Sequence, residues 1–141
     1  MTKRIFELWL QFAAEDLRSA EILLTAELFN MVCFHSQQCV EKALKALLAR
    51  LDKPIPRIHD LINLHQIAQD ALGNSIDLTE EGLMLLNDVY LDSRYPRDVG
   101  LLPGGQPDQA DAQKAYKSAA EAFCALRRLI ENIPLECSSR D

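Results

Sequence analysis

The sequence is poor in the residues that mark most well-known sites. It has four cysteines, Cys33, Cys39, Cys124 and Cys137. They form no C-x-x-C pair, and no cysteine–histidine spacing resembles a zinc centre. Cys33 and Cys39 fall on different faces of a helix, so a disulfide between them is excluded and reduced thiols are the simple reading. Glycine is scarce too, at five residues. Gly104-Gly105 lacks the G-x-x-x-x-G-K-[ST] pattern and follows no strand, which removes the common phosphate loop. There is no H-E-x-x-H. A basic excess is missing: the net charge is -6 and the pI is near 5.0. That argues against a strongly basic nucleic-acid module. It leaves open a local basic patch of Lys42, Lys45, Arg50, Lys53 and Arg57. No apolar run approaches the length of a membrane span, and the opening MTKRIFELWLQF is too polar for a signal peptide. The expectation is a cytoplasmic protein without a membrane segment, a metal or a cofactor.

What the chain does have is helical periodicity almost throughout. Its 141 residues are 48% hydrophobic and 26% charged, which suits one folded domain spanning 1–141 with its core over about 5–133. Ile5, Trp9, Phe12, Ala13, Ala20, Leu23 and Leu24 form a stripe that predicts a first helix over 3–28. Asn30 offers a break or an N-cap, and a second helix runs to about Leu51 with Val40, Leu44, Leu47, Leu48 and Leu51 on one face. Pro54 and Pro56 stop it. A short helix covers 59–72 and ends at Gly73-Asn74. A fourth starts at Thr79, with acids in its first turn, and ends by Tyr95 before Pro96. After a loop rich in glycine and proline, the last helix covers 108–133. Its stripe is Ala112, Ala115, Tyr116, Ala119, Phe123, Leu126, Ile130 and Ile133. The pattern predicts an all-α fold, an up-and-down antiparallel bundle of four long helices and one short one.

The polar residues are placed by helical geometry, about 100° per residue. With Val40 at the centre of the second helix's apolar face, Ser36 and Gln37 point inward. His35, Gln38, Lys42 and Lys45 gather on the opposite side, and Glu41 sits at the border. The inward pair reads as a structural hydrogen-bond network or part of a site. The outward row reads as a solvated face or a surface for a partner or a phosphate. Asp16 lies near the centre of the first helix's stripe. A buried carboxylate there requires cations or donors, and the preferred partner is Arg94, with Tyr95 and Gln37 as further donors. His59-Asp60-Leu61 opens the short helix, so His59 or Asp60 caps it, or His59 faces a ligand.

Several of these features occur together in one family. Ala14-Glu15-Asp16-Leu17, then FHSQQCVEKALKALL from Phe34 to Leu48, then His59-Asp60-Leu61, then Ser93-Arg94-Tyr95-Pro96 resembles the HEPN domain, the higher eukaryotes and prokaryotes nucleotide-binding domain. The resemblance covers about 5–133. It implies a helical bundle, frequent dimerisation, and, for stand-alone prokaryotic members, a minimal nucleotidyltransferase partner in a toxin–antitoxin-like two-component system. Other members are ribonucleases, whose signature is an arginine, four to six residues, then a histidine. Here Arg94 is followed by no histidine, and Arg57 and His65 have the wrong spacing. The usual acid–base group for cleavage is therefore missing. Three readings follow, the third being a purely structural dimer whose polar network only fixes helix register. The first is a dimeric nucleotide- or RNA-binding interaction protein with a ligand site at Asp16, His35, Gln37, Gln38, Lys42, Lys45, His59, Arg94 and Tyr95. The second is a ribonuclease with a non-standard site using His35 or His59 with Arg94.

Overall fold

A computed structural model describes residues 3–94 and 105–134, with the side chains of 92–94 outside the description. It contains five helices: α1 (Ile5–Thr25), α2 (Phe29–Arg50), α3 (Leu61–Leu72), α4 (Glu80–Arg94) and α5 (Gln109–Glu131). No strand occurs among the described residues. The all-α expectation holds, and the helix limits differ from the sequence reading by three residues or fewer.

Each boundary has a local cause. The break between α1 and α2 falls at Glu27, not at Asn30. Glu27 takes a left-handed φ of 61°, and the Leu28 amide reaches back to the Leu23 carbonyl at 3.1 Å. Asn30 lies inside α2. Asp52 repeats the device after α2 with φ 58°, and Lys53 N–H bonds the Leu48 carbonyl at 2.9 Å. A short polar side chain makes that conformation tolerable at Asp52. Asp60, rather than His59, caps α3 by accepting from the Ile62 amide at 2.9 Å, and Gly73 ends it at φ 78°. Thr79 Oγ1 accepts from the Gly82 amide at 3.1 Å. Asp108 and Asp111 exchange bonds in a capping box that opens α5, and the Asp111 amide holds the Asp108 carboxyl below its ordinary pKa. That capping bond is present above the ordinary Asp range and weakens as pH falls through the lowered value.

α2 is the axis of the bundle. It packs against all four other helices. Val32, Cys33, Cys39, Val40, Ala43, Leu44, Ala46, Leu47 and Leu48 are fully buried along it. α1 lies along the side opposite the apolar stripe, and this corrects the expectation of a solvated face there. α1 also differs from its predicted stripe. Ala13 and Ala20 are fully buried, but Ile5 is 63% and Phe12 45% exposed. Only the side of α1 that carries Ala13, Asp16 and Ala20 faces its neighbours. The small residues Ala112, Ala115, Ala119 and Ala122 on α5 let that helix approach α2 and α1 closely. No described helix is long and apolar enough to cross a membrane.

The basic patch that the sequence left open loses Lys42 and Lys45 to Asp16 and Glu41, and Arg50 is engaged as well. Arg50 turns back to donate to the carbonyls of Ile133 at 3.1 Å and Pro134 at 2.6 Å, and its guanidinium lies 5.4 Å from the Phe6 ring. It thereby ties together the start of α1 and the ends of α2 and α5. Arg50→Ala is expected to lower unfolding free energy by about 1–3 kcal/mol, the scale for hydrogen bonds from a charged donor. Urea titration would measure it. Arg50→Lys is expected to restore only part, because an ammonium lacks the planar fork.

Candidate functional site

Since α2 is enclosed, every charge on it has to find a partner or a way out. Four ionisable side chains of α2 and two from other elements resolve this in two clusters of the same make-up. In the first, the Asp16 carboxylate of α1 receives Lys42 Nζ on Oδ2 at 2.7 Å and His35 Nδ1 on Oδ1 at 2.7 Å. In the second, Glu41 Oε2 receives Lys45 Nζ at 2.9 Å, and His59 Nδ1 sits 3.1 Å from both Glu41 oxygens. Each cluster is a lysine, a carboxylate and a histidine.

The Glu41 cluster is the more deeply buried, with side-chain exposures of 7% for Lys45 and 6% for Glu41. It is also more densely bonded. Gln37 Nε2 donates to the His59 carbonyl at 2.9 Å, so backbone and ring of His59 are both held from α2. Gln38 Nε2 donates to Gln37 Oε1 at 2.9 Å. Longer contacts of 3.3 Å run from both glutamines to Glu41 Oε1. The Lys45 ammonium also lies 5.9 Å from the Trp9 ring centre. These partners satisfy a carboxylate that would otherwise be costly to bury.

The bonding fixes the chemistry of the rings. A carboxylate held by an ammonium is an acceptor, so the proton in each histidine contact belongs to Nδ1. In the neutral ring, Nε2 then carries the lone pair. For His35 the side chain is 23% exposed; for His59 it is 61% exposed. Only His59 therefore presents a tautomer-fixed imidazole broadly to solvent. Aromatic rings fill the space beside it. Tyr90 of α4 lies 6.3 Å from His59 and stacks at 6.0 Å on Phe34, whose ring meets His35 edge-on at 5.2 Å. Asn87 of α4 fastens the start of α3 by accepting from the Leu61 amide at 3.1 Å and donating to Asp60 at 2.9 Å.

The sequence reading is thus rearranged. Asp16 does need cations, and they are Lys42 and His35. Its proposed link to Arg94 is not among the described contacts, because the Arg94 side chain lies outside the described residues, as does all of Tyr95. Asp16 and Gln37 do not share one network. Lys42 and Lys45 do not form a free outer surface; they neutralise Asp16 and Glu41. Glu41 is the residue that sequence reasoning passed over. Its signal was present: it lies four residues from both Gln37 and Lys45, the spacing that brings side chains together on a helix. Ser36 is fully buried, and its hydroxyl has no hydrogen-bond partner in the described structure. Cys39 is buried, and burial followed by the nearby Asp16 charge raises its thiol far above the ordinary range, which makes it a poor nucleophile. The described cavities lie elsewhere. One of about 100 Å³, for example, sits between the start of α4 and α5, lined by Thr79, Leu83, Leu86 and Ser118. Among the described residues no group of histidine, cysteine and acidic side chains converges to hold a metal.

Breaking the Glu41–Lys45 pair on one side leaves the other charge buried. Glu41→Ala or Lys45→Ala is expected to cost about 3–5 kcal/mol in a urea titration, whereas Glu41→Gln with Lys45→Met is expected to cost far less.

The comparisons with known proteins agree on the fold. The family model for the HEPN domain matches residues 6–129. The crystal structure of TT1696 from Thermus thermophilus superposes with a TM-score of 0.73 at 24% identity, covering 89% of this chain and 98% of that one. ST0689, described as an archaeal HEPN homologue, superposes with a TM-score of 0.66 at 24% identity over 92% of this chain and 99% of its own. A shorter likeness joins the chain to the protein named "Putative toxin MJ1304" of Methanocaldococcus jannaschii, at 48% identity over 42 residues. It spans 30% of this chain and 28% of that protein's length. With the family model matched over most of its length, this chain belongs to the HEPN family.

Proposed function

We propose that the protein is a nucleotide-binding interaction module that acts as a homodimer with a minimal nucleotidyltransferase, in a two-component system of toxin–antitoxin type. The observation that carries this reading is the edge of the α2–α4 seam. There the exposed His59 stands beside the Tyr90 and Phe34 rings, and Arg94 follows Tyr90 by one helical turn at the end of α4. The exposed imidazole face, backed by the buried Tyr90 ring, suits a base, and an arginine suits a phosphate. Within the reading, Gln38, Tyr95, His59 and Arg94 contact the ligand, while Asp16, His35, Gln37, Lys42 and Lys45 hold the scaffold that presents them. The toxin name of the Methanocaldococcus jannaschii relative is in keeping with the system proposed.

A second reading is favoured by one specific observation. His59 combines exposure with a carboxylate on Nδ1, the arrangement of a general base. It supplies a histidine to a chain that lacks one after Arg94. The reaction would be RNA cleavage with His59 moving the proton and Arg94 holding the phosphate.

Calorimetric titration with ATP is expected to show binding that His59→Ala and Arg94→Ala each weaken by at least about tenfold, the scale of one charged contact. Lys42→Ala is expected to lower stability while leaving affinity of the folded fraction nearly unchanged. Light scattering should report twice the 15.9 kDa mass of the chain. No ATP binding at millimolar concentration would refute the first reading. RNA cleavage by the purified protein, lost in His59→Ala, would establish the second.

A further inference from the structure

The chain has three histidines, and the structure separates them by what their rings can still do. His65 uses Nε2 to bond the Ile76 carbonyl at 2.9 Å. His35 gives Nδ1 to Asp16 and is mostly covered, between α1 and the Phe34 ring. His59 alone has Nδ1 fixed on a buried carboxylate and most of its ring in water. Its backbone carbonyl is pinned by Gln37. Neutral imidazole in this tautomer is a nucleophile at Nε2.

We propose that His59 is a covalent phosphoryl acceptor, with Nε2 as the attacking atom and Glu41 as its positioning residue. This does not depend on nucleotide binding at the α2–α4 seam. The donor class is an activated phosphoryl compound, a phosphoramidate or an acyl phosphate. The Nε2 lone pair forms a bond to phosphorus as the P–N or P–O bond of the donor breaks. The leaving ammonia or carboxylate departs with that bonding pair, and nothing is oxidised or reduced. The proton on Nδ1 stays where it is. As Nε2 commits its lone pair, positive charge spreads to Nδ1–H, which faces both Glu41 oxygens at 3.1 Å. The Glu41 charge is therefore placed where the imidazolium forms, and Lys45, donating to Oε2, keeps Glu41 an acceptor.

The surroundings permit a phosphoryl group. The incoming group meets the solvent side of the ring, away from Glu41. The neighbouring carboxylate, Asp60, is held by the Ile62 amide, the Asn63 amide and the Asn87 amide. The exposed Arg57 lies two residues before His59.

The test uses the full chain and potassium phosphoramidate, with the product mapped by peptide mass spectrometry under alkaline conditions that preserve phosphohistidine. One phosphoryl group is expected, on the peptide holding His59. It should form at least about tenfold faster than on the same histidine in the urea-unfolded chain, the scale on which orienting partners act. His59→Gln should abolish the modification. Glu41→Gln with Lys45→Met, confirmed folded by circular dichroism, should lower the rate to that of the unfolded chain. Labelling of His59 at the unfolded-chain rate would overturn the proposal. So would a folded double variant that labels as fast as the parent, or attachment at Nδ1 by nitrogen–phosphorus NMR coupling.

Discussion

The whole structure turns on the need to neutralise charge inside an enclosed helix. α2 touches every other helix, yet it carries Glu41 and Lys45 with almost no exposure and Lys42 with little. Burying an ion pair adds little stability beyond what an apolar pair of the same volume would give. What it adds is selection among packings. Asp16 meets Lys42 and His35, which are seven residues apart on one face of α2. A slip of α1 by one turn, about 5.4 Å, would strand three charged or polar groups at once. Apolar stripes tolerate such slips far better. The charged clusters therefore set the register that the alanine-rich contacts leave loosely defined.

The same clusters tie fold to chemistry. A carboxylate that neutralises a lysine also decides which nitrogen of a histidine holds the proton. Scaffold and exposed ring are two ends of one hydrogen-bond chain. In the Glu41 cluster that chain begins in the protein interior and ends on a ring in water. In the Asp16 cluster it ends under cover. This chain thus carries two similar arrangements that differ in their access to solvent.

Much of the architecture was legible in the sequence because helix punctuation is local. Pro54 and Pro56, Gly73 and Thr79 act on their own neighbours, and their positions predict the helix limits closely. Asp16 was legible as a buried carboxylate in need of cations for the same reason: it interrupts an apolar stripe. The identity of those cations was not. A helical wheel assumes one buried face, and α2 has neighbours on nearly all sides. On a wheel centred on Val40, Lys42 and Lys45 point to water; in the bundle they meet α1. Glu41 was hidden by the same assumption, since a border position on a two-sided helix is an interior position on an enclosed one. The exposed edge of α1 at Ile5 and Phe12 reflects the converse, an apolar stripe wider than the contact that covers it.

The left-handed turn at Glu27 has a consequence for the entropic cost of closing the bundle. It closes α1 onto α2 through a very short connection. The bonds from Asp16 to α2 span only 19 and 26 residues of chain, whereas Arg50 reaches Ile133 across 83. Loop-closure entropy rises with that separation. The α1–α2 hairpin therefore closes its polar contacts at a lower entropic cost than the Arg50 tie that joins α2 to the end of α5.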